Sequence, residues 1–235
     1  MIILTAALLP AILLWMYIWK KDPQKEPTSL LVKATVLGVL ISIPVSFVEI
    51  YISSMLFGSD GEPSTMLGAS FQAFFVAAVP EESFKLLVLW LVLRKNPFFD
   101  EHFDGIVYAV CVGLGFAAIE NVMYVFTNEA WLYVAISRAL LAVPGHYAFA
   151  VIMGYYYSIY KFVDHSSKAA TRVILMPVLA HGIYDTFAMS ANVNPYIGGI
   201  CFFVLIYFCI KLHRVAKKKI VALMARDSER LTSEI

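Results

Sequence analysis

"FQAFFVAAVPEESFKLLVLWLVLRK", residues 71–95, begins and ends as a membrane span would, yet places Glu81, Glu82 and Lys85 in its middle. A charged side chain at the centre of a span costs about 2.5–3.5 kcal/mol on insertion scales, so three of them facing lipid would cost on the order of 8–10 kcal/mol. They must therefore face protein or a water-filled cavity. On a helix Glu81 and Lys85 are four apart and Glu82 and Lys85 three apart, so all three line one face and neutralise one another in part. Pro80, just ahead of them, removes a backbone donor and kinks the helix, which frees the carbonyl of Val76. For Lys85, pairing with Glu82 and snorkelling toward the interface are equal readings.

The rest of the chain repeats the apolar background of this stretch. Of the 235 residues 60% are hydrophobic and only 15% charged, with a mean hydropathy of +0.76, well outside the range of soluble domains. A span needs about 20 apolar residues. Seven such runs are expected: Ile2–Trp19, Leu31–Phe57, Met66–Leu93, Ile106–Phe126, Leu132–Tyr160, Val173–Ala191 and Tyr196–Leu212. The fold class is therefore all-α, a polytopic transmembrane helical bundle. Its membrane domain covers residues 1–212, and a basic tail, at most a short amphipathic helix, covers 213–235.

Sixteen of the 18 Lys and Arg residues lie on alternate connections or in the tail, while the loops "GSDGEPS", "TNEAW" and "NVN" carry none. Cytoplasmic loops accumulate such residues, so the N-terminus is expected outside and the C-terminus in the cytoplasm. The first apolar run has its lysines after it and reads as an anchor, not a cleaved leader. A net charge of +1 gives nucleic-acid binding no support. Cys111, Cys201 and Cys209 fall in spans without metal-type spacing and read as packing residues. Gly113 and Gly115 read as places where another helix backbone comes close.

Depth sorts the remaining buried polar residues. On the helical rise, His146 falls about 21 Å, Glu81 about 22 Å and His181 about 18 Å below the outer surface. These residues from three spans share a layer. Glu120 and Arg138 lie at about 9 Å and Asp185 at about 12 Å, a second layer nearer the outside, while Glu49 reads as structural or simply interfacial. An intramembrane arginine needs a counter-charge, and Glu120 is the natural partner for Arg138.

A carboxylate beside histidines in a desolvated cavity serves as a general base toward water. Asp185, one turn from His181, would orient the imidazole, and Asn121 offers an amide to a developing oxyanion. The set Glu81, Glu82, His146, His181, Glu120 and Asn121 thus suggests hydrolysis of an acyl bond inside the membrane, with Asp185, Lys85 and Arg138 in support. Two histidines with carboxylates are equally a metal-ligand set. A glutamic-type enzyme would need no cofactor; a metal-dependent one would hold zinc through Glu81, His146 and His181. A proton-coupled carrier or a non-catalytic scaffold are the other readings. The chain has no HExxH and no GxSG, and Phe116 stands where an aspartyl intramembrane protease needs Asp.

With "PEESFK" at 80–85, "FDGIVYAVCVGLGFAAIENVMY" at 103–124, "PGHYAF" at 144–149 and "HGIYD" at 181–185, the chain resembles the PrsW family of bacterial membrane proteases over essentially all its spans. That family is similar in turn to the CAAX-processing and bacteriocin-processing membrane proteases. Against the wider pattern of EExxxR, FxxxH and HxxxN, Lys85 replaces the arginine one position early, Glu120 replaces the first histidine and Asp185 the asparagine. The resemblance implies first (site-1) cleavage of a single-span anti-sigma factor in the bacterial cell membrane, releasing a sigma factor under envelope or antimicrobial-peptide stress.

Overall fold

The computed structural model describes residues 1–58 and 63–233, without the side chain of Asn192. Part of the "GSDGEPS" loop and the last two tail residues thus lie outside the described residues. All regular structure among the described residues is helical: α1 (Ile2–Lys21), α2 (Thr28–Phe57), α3 (Met66–Phe71), α4 (Val79–Leu93), α5 (Asp104–Phe126), α6 (Trp131–Ser137), α7 (Val143–Phe162), α8 (Ser167–Val193) and α9 (Pro195–Ser233). Two π-helical segments, Gln72–Ala78 and Arg138–Ala142, join α3 to α4 and α6 to α7 without a break.

Among the described residues six helical runs are long and apolar enough to cross a membrane: α1, α2, α5, α6 with α7, α8 and α9. The third of the seven expected spans, Met66–Leu93, is not among them: it is helical throughout but divided by its π segment and loaded with Glu81, Glu82 and Lys85. The expected tail is no separate element. Helix α9 runs on past Leu212 without a break and is 39 residues long in all, about 58 Å at 1.5 Å per residue, nearly twice the hydrocarbon thickness. Its last turns dock on the body, where the side chain of Asp227 is buried and accepts from the N–H groups of His102 and Phe103 at 2.8 and 2.9 Å.

Helix α5 is the axis of the bundle, buried at every position from Asp104 to Ala117. Small residues let two neighbours close on it. A Cβ on Gly115 would stand 2.1 Å from the carbonyl oxygen of Thr35, and one on Gly38 2.1 Å from that of Val112, so α2 and α5 touch backbone to backbone. Gly113 lies against α7, where an added Cβ would stand 2.8 Å from the side chain of Ala150 and 3.6 Å from the carbonyl oxygen of His146. This packing fixes where the C-terminal end of α5, with Glu120 and Asn121, meets α4 and α7.

Candidate active site

Each π segment ends on the first of the same three residues: Ala78-Val79-Pro80 and Ala142-Val143-Pro144. Proline lacks the N–H that would close a regular turn, and single π turns recur where helices carry function. Two positions beyond each proline stands a polar residue, Glu82 in α4 and His146 in α7. The repeat "AVPEE" and "AVPGH" is a sequence signal that depth reasoning overlooks. It marks both widened helices and names one site residue on each.

The structure brings Glu81, Glu82, His146 and His181 together, each offering one ligand-type atom within 4.8 Å of the others, all buried. Lys85 lies among them. Its Nζ is 2.8 Å from Glu81 Oε2, 2.8 Å from Glu82 Oε1 and 3.3 Å from His146 Nδ1, and sits 4.3 Å from the centre of the Phe116 ring. Lys85 therefore pairs with both glutamates and does not snorkel. Glu82 is fully enclosed, and its Oε2 has no partner. Glu49 of α2 lies beside Glu81, with one carboxylate oxygen buried and unpartnered among the described residues, so of its two readings the interfacial one does not hold.

The two histidines are held alike. His146 turns Nδ1 to the cluster while its Nε2 lies 2.7 Å from Glu120 Oε2. His181 turns Nδ1 to Glu82 Oε1 at 3.0 Å while its Nε2 lies 3.1 Å from Asp185 Oδ2. The rings meet edge to face at 5.2 Å, and Phe149 stacks on His181 at 4.7 Å. A carboxylate behind each imidazole fixes its tautomer and orientation, the arrangement seen behind metal-bound histidines. The expected inner and outer layers thus form one network, because Glu120 and Asp185 reach back to the histidines.

Glu120 also pairs with Arg138 Nη2 at 3.1 Å, as its depth suggests. Asn121 is engaged elsewhere: its Nδ2 donates to the carbonyl of Ala7 at 2.6 Å and its Oδ1 accepts from Arg138 Nε at 2.8 Å. It ties α1 to Arg138, and this geometry does not favour the oxyanion-donor role expected for it.

The donor set suits a metal. Two imidazole nitrogens and two carboxylates are a ligand set for zinc-type ions, both histidines carry the supporting carboxylate, and the orphaned Glu82 Oε2 is a buried acceptor lacking a partner. The Lys85 ammonium meets that set from one side, so an ion would share the carboxylates with it.

Residues 26–211 match the family described as PrsW family intramembrane metalloprotease. The chain is 40% identical over 184 residues to Protease PrsW of Oceanobacillus iheyensis, covering 78% of this chain and 81% of that protein. It is 34% identical over 217 residues to Protease PrsW of Clostridioides difficile, covering 90% and 89%. To Protease PrsW of Bacillus subtilis it is 33% identical over 195 residues, covering 82% and 84%. No solved structure matches. The buried carboxylate–histidine cluster thus sits in a multi-pass membrane peptidase, and the chain belongs to the PrsW family of intramembrane metalloproteases.

Proposed function

We propose that this protease makes the first cut in a single-span anti-sigma factor of the bacterial cell membrane, on its extracytoplasmic side, with Glu81 as the base that activates water. The observation that carries the reading is the pair of imidazoles aimed at Glu82 and Lys85, each braced from behind by a carboxylate. Glu82, His146 and His181 would hold the metal, which when bound would polarise the scissile carbonyl and acidify water. Glu81 is the less enclosed of the two glutamates. It takes the proton from the attacking water and returns it to the leaving amine. Lys85 compensates the charge of both carboxylates throughout. Arg138, positioned by Asn121, holds Glu120 against His146. The carrier and scaffold readings have no observation in their favour.

The test is cleavage of a tagged single-span anti-sigma factor by the purified protein in proteoliposomes. We expect cutting by the wild type, none by Glu81→Gln or His181→Ala, loss on chelation and recovery with a divalent ion. Cleavage that survives thorough chelation would remove the metal from the reading. A wild type that cuts other single-span proteins but no anti-sigma factor would remove the substrate and leave the site intact.

A further inference from the structure

A second group of acids gathers at the end of α5 remote from Glu120, where the α1–α2 and α4–α5 connections meet the end of α9. Asp22, Glu101 and Asp104 are buried there, each with an oxygen within 4.8 Å of the others. Asp22 accepts from the N–H groups of Gln24 and Glu26 at 3.2 and 3.4 Å, and Glu101 accepts from the side-chain amide of Gln24. Asp104 Oδ2 accepts from the N–H groups of Asp100 and Glu101 at 3.2 and 2.7 Å. The Asp104 side chain lies against the Glu26 carboxyl, and its Oδ1 accepts from no donor among the described residues although the side chain is wholly buried. A buried acceptor left unmatched is uncommon and costly.

The surroundings add negative charge. Glu26 accepts from the Tyr108 hydroxyl at 2.5 Å, and Asp227 accepts from His102. The nearby basic groups reach backbone carbonyls: Lys25 Nζ those of Trp19 and Asp22, Arg230 Nη1 that of Asp100 at 2.6 Å. No ion pair among the described residues includes Asp22, Glu101 or Asp104. Even with the charge of Arg230 close by, burial and then the like charges of Asp227, Asp22 and Asp100 push the Glu101 carboxyl up to about 7.

We propose that Asp22, Glu101 and Asp104 form a second metal site, separate from the catalytic cluster, that takes a hard divalent cation of the magnesium, manganese and calcium class and clamps the α1–α2 and α4–α5 connections together. The three-residue set is all carboxylate oxygen, which selects hard cations over zinc or copper. Such ions hold oxygens at about 2.0–2.6 Å, so ligands on opposite sides lie about 4–5 Å apart, in keeping with the spacing here. The bound ion supplies Asp104 Oδ1 with its missing partner and offsets the repulsion among the acids.

The test measures manganese binding to the purified full chain in detergent, carrying Glu81→Gln and His181→Ala to silence the catalytic cluster. We expect one ion per chain, displaced by magnesium or calcium, with an affinity at least tenfold weaker in Asp104→Asn and in Asp22→Asn. We also expect the cation to raise Tm in the parent and not in either variant. Asp22 lies on a different connection from Asp104, so a folding failure of one variant leaves the other to decide. No bound ion in the silenced parent, or binding that both Asn variants leave unchanged, would overturn the site. The acids would then be held by protons, with Glu26 and Asp104 sharing one.

Discussion

Two clusters of acids lie at opposite ends of α5, and they resolve their charge in different ways. Around Glu120, within the membrane-spanning part, every acid of the cluster except Glu49 faces a basic partner: Lys85 stands between Glu81 and Glu82, Arg138 beside Glu120, and an imidazole against Glu82, Glu120 and Asp185. Around Asp104, at the chain connections, Asp22, Glu101 and Asp104 are satisfied mainly by N–H groups, and the nearby ammonium reaches carbonyls. The difference follows from the medium. In hydrocarbon an uncompensated charge costs several kcal/mol, so compensation must be built from side chains. At the connections a mobile ion can supply it.

The comparison is broken most severely by removing chemistry from the first cluster while leaving its charges nearly balanced. Glu81→Gln is expected to lower cleavage by about 10²–10⁴-fold, the usual contribution of a positioned base, with little change in Tm. Cleavage assays beside thermal unfolding separate the two.

Lys85→Met converts the first cluster into one like the second, two buried carboxylates with no side-chain cation between them. Breaking a buried pair in this way costs about 3–5 kcal/mol. A fall in Tm in detergent larger than that of Glu81→Gln is the expected result; an unchanged Tm would show that the ammonium is not compensating the glutamates.

Weakening the braces behind the imidazoles sharpens the contrast further. Glu120→Gln and Asp185→Asn should each reduce zinc affinity or activity by about 10–100-fold, as outer partners of metal-bound histidines do. Equal losses in the two variants would support the matched roles of His146 and His181, measured by zinc titration and by cleavage.

The smallest effect is expected at the second cluster. Asp227→Asn weakens the acceptor that holds His102 and Phe103 and should cost about 1.5–3 kcal/mol, the range for a hydrogen bond to a charged group. Hydrogen exchange should quicken in residues 99–104 and in the last turns of α9, with cleavage retained.

The sequence by itself determined the helical membrane bundle, because long apolar runs have no other stable state in lipid. It also picked out Glu81, Glu82, His146 and His181, because polar residues in such runs stand out and the helical rise gives their depth. Three things were decided only in three dimensions. Depth along a helix says nothing of rotation about it, so Glu120 and Asp185 were separated from histidines that they touch, and Asn121 was aimed at a substrate when it holds Arg138. The π segments turned Met66–Leu93 from a plain span into a jointed helix, which shows in the sequence only as a proline and a short repeat. The second acidic cluster was invisible along the chain. Asp22 is about eighty residues from Glu101 and Asp104, and only the docking of the connections beside the end of α9 brings them together.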